Sequence, residues 1–209
     1  MLRQVRQLGL VDYETTLAAM KTFTDQRNAE TGDELWMLEH PAVYTLGLAG
    51  KTEHLLRTDV PIPVVRTDRG GQVTYHGPGQ LVVYLLIDFK RMHIGVRDLV
   101  RRIEQSVIDT LADYGIKANG DVDAPGVYVD GGKIASLGLR IKNGAVYHGL
   151  SLNVDMDLAP FGWINPCGYP DLRVTRLKDL GVSDGVGQVA ERLLPHLERN
   201  LGTGVGANS

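Results

Sequence analysis

The dipeptide Asn143-Gly144 is the sequence feature that most restricts how this chain can fold. It separates two strand-like runs, and both of its residues tolerate a positive φ, so it predicts a β-hairpin closed by a two-residue turn. Directly opposed residues of a hairpin share a sheet face, so the register decides which side chains meet. The predicted pairs are Lys142 with Ala145, Arg140 with Tyr147, Leu139 with His148, Gly138 with Gly149, Leu137 with Leu150 and Lys133 with Val154.

This register divides the hairpin into an apolar face and a polar face. The first holds Lys133, Ala135, Leu137, Leu139, Ile141, Val146, His148, Leu150, Leu152 and Val154; the second, expected to be wet, holds Ser136, Arg140, Lys142, Tyr147, Ser151 and Asn153. Lys133 either extends its ammonium to solvent or projects into a partly dry cleft and meets an anion there. His148 alone is more typical of a hydrogen-bonded core histidine than of a catalytic one.

Apolar periodicity predicts the other elements. Helices are expected to begin near Asp12, Val96 and Val186, the second ending at Gly115. Runs at 35–38, 64–67 and 81–87 predict strands, and the last is apolar on both faces, as in a central strand. Because helices and strands do not alternate regularly, the expected fold class is α+β, a mixed sheet flanked by helices. We expect a single domain over residues 1–201 and a disordered tail at 202–209.

Composition limits the functional classes. The net charge of −3 argues against a nucleic-acid partner, and no apolar run reaches the length of a membrane span. The N-terminus lacks the apolar segment of a secretory signal, and the one cysteine cannot form an intramolecular disulfide, so a reducing cytoplasm is expected. The basic run from Lys90 to Arg102 predicts either a solvated helix face or a docking patch for an acidic partner.

A glycine-rich segment at residues 69–80 precedes the central strand. It is either a long turn or a loop wrapped over a ligand, and it is not a dinucleotide fingerprint because a strand follows it. Residues 47–52 resemble the end of a phosphate-binding loop, but Thr45 stands where the first glycine is required, so nucleotide binding is not expected. The six histidines show no metal-ligand spacing, so we expect no metal.

Cys167 lies in a segment punctuated by proline and glycine, Asn165–Pro170. Core packing explains a cysteine poorly in such a segment, so an inert residue and a reactive one remain open. A free thiol, with a pKa of about 8.5, needs a neighbouring cation to react at neutral pH. Lys133 is one candidate for that cation and His148 is the other.

Four ordered segments resemble the lipoyl(octanoyl) transferases, the family of the lipoate-protein ligase B type. They are residues 69–80, residues 126–129 with 133–138, His148–Val154 and Ile164–Gly168, and they span roughly residues 64–177. Four motifs in order are far more specific than any one of them. Tyr128 departs from the family pattern, in which tryptophan is expected, and this changes a wall of the site.

The resemblance implies the fold of biotin and lipoate ligases and a two-step acyl transfer without a cofactor. Octanoyl-acyl carrier protein donates its acyl group to Cys167, and Lys133 keeps that cysteine reactive. The acceptor is then a lysine of a lipoyl domain, in 2-oxoacid dehydrogenases or the glycine cleavage H protein. The implied substrate contacts are Arg69, Gly70, Gly71, Gln72, Val73, Thr74, Tyr75, His76, Ser136, Leu137, Gly138, His148, Gly149, Leu150 and Ser151. A monomer is expected.

The hairpin register places two of these motif segments side by side. Gly138 opposite Gly149 leaves a gap in the side-chain layer, where the acyl chain could enter. Three other functions remain open: an ATP-dependent lipoate or biotin ligase of the same fold, a thioesterase that passes the acyl group to water, and a non-catalytic module that binds the acyl carrier.

Overall fold

The computed structural model describes residues 2–57 and 59–202, and in them a mixed seven-stranded sheet forms the centre. Its strands lie in the order β1 (Leu2–Leu10), β2 (Asp33–Glu39), β6 (Gln80–Asp88), β10 (Ala145–Asn153), β9 (Gly132–Lys142), β8 (Gly126–Val129) and β7 (Asn119–Gly120). β1 runs parallel to β2, and the other neighbouring strands are antiparallel. A smaller sheet has the order β4 (Val64–Arg66), β3 (Val43–Leu46) and β5 (Val73–His76). The predicted mixed sheet is confirmed.

Three α-helices in the described part of the chain cover the larger sheet. They are α1 (Tyr13–Asp25), α2 (Val96–Asp113) and α3 (Val186–Leu201). The side chain of Asp12 accepts a hydrogen bond from the Thr15 amide at 2.9 Å and so caps α1, as predicted. Gly115 ends α2 with a φ of 73°, which a glycine adopts without strain. None of these helices is long and apolar enough to cross a membrane.

The central strand β6 is buried on both faces, as its sequence predicts. Val83 and Leu85 pack with the apolar side chains of α2 and α3 on one face, and Val82 and Leu86 pack with those of α1 on the other. Burial on both sides explains why this strand carries an almost continuous apolar run.

The β9–β10 hairpin forms in the predicted register over most of its length. The ladder runs from Lys142 with Ala145 to Ala135 with Leu152, and Asn143 and Gly144 have positive φ values of 54° and 84°. The predicted pairing of Lys133 with Val154 is wrong. The amide of Lys133 donates instead to the Arg173 carbonyl at 2.8 Å, because residues 173–175 lie alongside this end of β9.

Two further expectations for the hairpin faces are wrong. The supposed wet face is dry at Tyr147, Ser151 and Asn153, since the first packs in the core cluster beneath α1 and the other two are also buried. His148 does not share the α2/α3 face with Leu150. Its φ of 62° breaks the alternation of side chains along the strand. The His148 ring therefore stacks on the ring of its neighbour Tyr147.

The segment at residues 69–80 is not a loop throughout. Val73–His76 form β5, which pairs antiparallel with β3, so only the residues on either side are irregular. Gly202 caps α3 in a left-handed conformation, and residues 203–209 lie outside the described residues. The disordered tail and the single domain over residues 1–201 therefore stay predictions.

A substitution at Gly149 tests how closely β10 packs on β6. A Cβ added to this residue would overlap the Val83 carbonyl oxygen, which belongs to the backbone of the neighbouring strand. We expect Gly149→Ala to lower the free energy of unfolding by about 2–3 kcal/mol, as overpacking does in cores. Urea denaturation measures this loss.

Gly187→Ala is the matched control, since a Cβ there meets nothing within 4 Å and the residue lies in α3. This variant is expected to keep or raise stability by up to about 1 kcal/mol. Equal stability of the two variants would contradict the close packing described for Gly149.

Candidate active site

A cavity of about 340 Å³ lies beside the hairpin, between the Arg69–Thr74 segment, β9, β10 and the first turns of α2. Most of the predicted site residues line it: Arg69, Gly70, Gly71, Gln72, Val73, Thr74, His76, Lys133, Ser136, Leu137, Gly138, His148, Gly149, Leu150, Ser151 and Cys167. Its exposed wall is mainly apolar, which suits an alkyl chain. Segments that are far apart in sequence therefore meet at one site.

Tyr75 is the predicted contact that does not line the cavity. Its ring packs against Phe161 and Tyr44, with centroid distances of 5.5 and 5.6 Å, in a separate core cluster. The cause is the strand β5, which points alternate side chains to opposite sides and so separates Tyr75 from His76.

The structure also brings residues to the cavity that the sequence patterns missed. They are Tyr13, Val82, Tyr84, Val96, Val100, Asp123, Ala124, Pro125, Leu139 and Tyr169. Tyr84 carried a usable signal, because a hydroxyl in an otherwise apolar central strand needs a buried partner. The others come from elements whose relative placement depends on tertiary packing.

Lys133 and Cys167 form the polar contact that matters most for chemistry. The Lys133 ammonium donates to Cys167 Sγ at 3.4 Å, and it lies 5.3 Å from the centre of the Tyr128 ring. Lys133 is only 3% exposed, so the alternative in which its ammonium reaches solvent is wrong. A buried ammonium next to a thiol favours the thiolate.

Gly126 makes this contact possible. A Cβ on residue 126 would overlap Lys133 Cε and lie 3.1 Å from Nζ. The φ of Gly126 is 150°, which few other residues adopt. The lysine side chain therefore runs directly over the backbone of β8 on its way to the sulfur.

The loop around Cys167 holds the backbone of this residue in an unusual conformation. Cys167 has a φ of 57° within a short 3₁₀ turn, Pro166–Gly168. The Asn165 amide donates to the His54 carbonyl at 2.9 Å, and the Gly168 amide donates to the Asn165 carbonyl at 2.9 Å. A non-glycine residue at positive φ costs on the order of 1–3 kcal/mol and is more typical of a functional site than of inert packing.

Arg69 fixes the loop that covers one wall of the cavity. Its buried guanidinium donates to the Thr45 carbonyl at 2.7 Å and to the Gln72 carbonyl at 2.8 Å. Burial lowers the pKa of Arg69, yet an arginine stays charged at neutral pH, so its charge acts on Cys167. This places a second cation near the sulfur.

The glycine pair of the hairpin is not the open gap expected from the sequence. A Cβ on Gly138 would lie 3.2 Å from both Arg69 Cδ and the Gly70 carbonyl oxygen. The Gly70 amide also donates to the Leu139 carbonyl at 3.0 Å. The missing side chain of Gly138 therefore lets the loop pack tightly on the hairpin, and both glycines line the cavity.

The histidines of the site are neutral and held by hydrogen bonds. Burial lowers the pKa of His76 to about 3 and also lowers the pKa of His148 and of His40. His76 Nδ1 lies 2.7 Å from Gln80 Oε1, and His148 Nε2 lies 3.0 Å from Asp68 Oδ1. His148 is bound to Asp68, so Lys133 rather than His148 is the cation in contact with the thiol.

Comparison with known proteins shows the family of this chain. A model of the lipoyl protein ligase A/B catalytic domain family matches residues 12–198. The chain belongs to this family. It is 72% identical to the octanoyltransferase of Chromobacterium violaceum over 201 residues, covering 96% of this chain and 97% of that one. The octanoyltransferase of Laribacter hongkongensis is also 72% identical, over 197 residues that cover 94% and 95% of the two chains.

Solved structures show that the fold is shared across the ligases. Lipoate-protein ligase A bound with ATP superposes with a TM-score of 0.82 at 18% identity, covering 97% of this chain and 86% of that one. Biotin protein ligase from Aquifex aeolicus gives a TM-score of 0.58 at 14% identity, covering 97% and 70%. The fold and family expected from the four motifs are both confirmed.

His76→Asn is expected to weaken the pH dependence of the free energy of unfolding of this protein. The folded-state pKa of His76, about 3, lies below the ordinary value of 6.5. The unfolded chain therefore binds a proton that the folded chain excludes, and the free energy of unfolding falls as the pH drops below about 6.5. Removing the histidine should reduce this slope by up to about 1.4 kcal/mol per pH unit. Urea unfolding at pH 7 and pH 5 gives the slope.

His93→Asn is the control, because His93 is exposed and its φ of 51° suits asparagine. Its slope should equal that of the wild type. A His76→Asn slope equal to that of the wild type would contradict a neutral, buried His76.

Proposed function

We propose that the protein is an octanoyltransferase that carries its acyl group on Cys167. The donor is an octanoyl-acyl carrier protein, and the acceptor is a lysine of a lipoyl domain. The observation that carries the proposal is the 3.4 Å contact of Lys133 Nζ with Cys167 Sγ at a largely apolar cavity. Relatives at 72% identity over nearly the whole of both chains bear the name octanoyltransferase.

In the first half-reaction the Cys167 thiolate attacks the carbonyl carbon of the octanoyl thioester. A new carbon–sulfur bond forms to Cys167, and the bond to the carrier sulfur breaks. The carrier thiolate leaves with the electron pair and takes a proton from solvent. One thioester replaces another at little cost in free energy, so this step needs no nucleotide.

In the second half-reaction the neutral amine of the acceptor lysine attacks the Cys167 thioester. A carbon–nitrogen bond forms, the carbon–sulfur bond breaks, and the amine loses a proton to solvent. The positive charge of Lys133 stabilises the cysteine sulfur as nucleophile and as leaving group.

The cavity provides room for the acyl chain. Leu137, Leu139 and Leu150 from the hairpin contribute to its wall, and Val96 and Val100 of α2 line it as well. A volume of about 340 Å³ lies within the range of small-molecule sites. We assign the octanoyl chain to this space and the Arg69–Thr74 segment to the wall that holds it.

The basic run from Lys90 to Arg102 supports a docking role for only part of its length. Arg91 and Arg102 donate to backbone carbonyl groups of the protein itself, whereas Arg97 and Arg101 are exposed. Val96, which lines the cavity, is 42% exposed and lies next to Arg97. We propose that this end of α2 meets the acidic carrier protein, and that a monomer serves lipoyl domains of 2-oxoacid dehydrogenases and the glycine cleavage H protein.

Intact-protein mass spectrometry tests the proposal after brief mixing with octanoyl-acyl carrier protein in the absence of nucleotide. The wild type should gain the mass of one octanoyl group, and Cys167→Ala should gain none, because the sulfur is the nucleophile. Adding a lipoyl domain should discharge the adduct and transfer the same mass to that domain.

Three outcomes would contradict this function in different ways. The absence of any adduct on wild type, with transfer restored by ATP, would indicate a ligase. Discharge to free octanoate with no labelled lipoyl domain would indicate a thioesterase. Carrier binding without acyl transfer under any condition would indicate a binding module.

A further inference from the structure

Glu104 is a buried carboxylate on the side of α2 that faces the site. It follows Val96 and Val100 at intervals of four residues, and those two valines line the cavity. Glu104 is 8% exposed, and its Oε1 accepts a hydrogen bond from the Gly126 amide at 2.8 Å. A carboxylate is seldom buried to this extent without a specific partner.

Gly126 connects Glu104 to Lys133. Its amide donates a hydrogen bond to the carboxylate of Glu104. Because Gly126 has no side chain, the Lys133 side chain passes directly over its Cα, and an added Cβ would lie 3.1 Å from Nζ. The carboxylate of Glu104 therefore fixes the short piece of β8 that supports the catalytic lysine. Any shift of this backbone would move the ammonium relative to Cys167.

The second oxygen of Glu104 points to a role beyond holding the backbone. A Cβ on Gly120 would lie 3.1 Å from Oε2, so the chain approaches this oxygen closely. Among residues 2–57 and 59–202, no hydrogen-bond donor reaches Oε2. Oε2 therefore acts on its surroundings through its charge rather than through a hydrogen bond.

The charged groups around the carboxylate are few. Burial raises the pKa of Glu104, whereas the hydrogen bond from Gly126 and the charges of Lys133 and Arg101 oppose that rise. The titratable and charged groups near this pair are Asp121 and Arg101 beside Glu104, Tyr128 and Cys167 beside Lys133, and Arg69, whose charge acts on Cys167. Lys133 and Cys167 are the members of this set that the proposed chemistry uses.

We propose that Glu104 is a positioning residue for Lys133, which it serves through the Gly126 backbone and through its negative charge. The inference rests on the proposed function. Before acylation the ammonium faces the Cys167 thiolate. Once Cys167 carries the acyl group its sulfur is neutral, and Glu104 supplies the negative charge that keeps the ammonium beside it until the thiolate is released again.

Glu104→Gln tests the charge separately from the hydrogen bond. Glutamine keeps an oxygen acceptor for the Gly126 amide, so the melting temperature should change little. Without the charge, we expect the titration midpoint of Lys133, followed by NMR of ¹³C-lysine in a Cys167→Ser background, to fall by about one pH unit. In the protein with Cys167 intact, transfer of the octanoyl group from acylated Cys167 to a lipoyl domain should slow by about tenfold.

Glu191→Gln is the matched control, because Glu191 is an exposed glutamate on α3. It should leave both the lysine titration and the rate of transfer from acylated Cys167 to a lipoyl domain unchanged. A Glu104→Gln protein that is stable and shows an unchanged Lys133 titration would overturn the proposal and leave Glu104 as a structural acceptor for Gly126.

A reciprocal measurement keeps the proposal testable if Glu104→Gln does not fold. Because coupling between two sites is reciprocal, Lys133→Met should raise the titration midpoint of Glu104, observed by NMR of ¹³C-glutamate, by about one pH unit. No movement of Glu104 would overturn the proposal. Both titrations are independent of acyl transfer, so they stay decisive even if Cys167 proves not to be acylated.

Discussion

Lys133 is buried, and a buried ammonium is stable only beside an anion or oriented polar groups. The residues around Lys133 must therefore supply such partners. The lysine reaches Cys167 because residue 126 is glycine, and the Tyr128 ring covers the ammonium on another side. The cysteine meets it from a turn with a φ of 57°, which neighbouring backbone hydrogen bonds hold in place. Strand β8 is paired with β9 through the backbone, and the Lys133–Cys167 contact ties the Cys167 loop to both strands.

The remaining polar groups of the cavity leave the sulfur in a positive environment. His76 and His148 are neutral at pH 7 because burial lowers the pKa of each, and Asp68 is bound to His148 and Tyr147. The charges that act on Cys167 therefore include Lys133 in direct contact and Arg69 behind the loop. Two buried cations and neutral histidines are a setting that favours a thiolate over a thiol.

Sequence patterns predicted the elements whose structure depends on local chemistry. The turn at Asn143-Gly144 set the hairpin register correctly as far as Ala135 and Leu152, and from there the packing of residues 173–175 decided the pairing. Alternation along a strand could not reveal that His148 has a positive φ, because that conformation depends on tertiary partners. The contribution of Tyr13 to the cavity had no sequence signal either, since it depends on how α1 lies across the sheet. The motifs singled out Lys133 and Cys167, and the fold brings their side chains into contact.

The rate at which iodoacetamide alkylates Cys167 at pH 6 to 7 tests the central claim, that the Lys133 ammonium holds this cysteine as a thiolate. Wild type should react much faster than an ordinary thiol, and Lys133→Gln should react about tenfold more slowly, because the thiolate fraction falls with the loss of the cation. Lys142→Gln, which removes an exposed lysine from the other end of β9, should react like the wild type. Equal alkylation rates for wild type and Lys133→Gln would contradict the account.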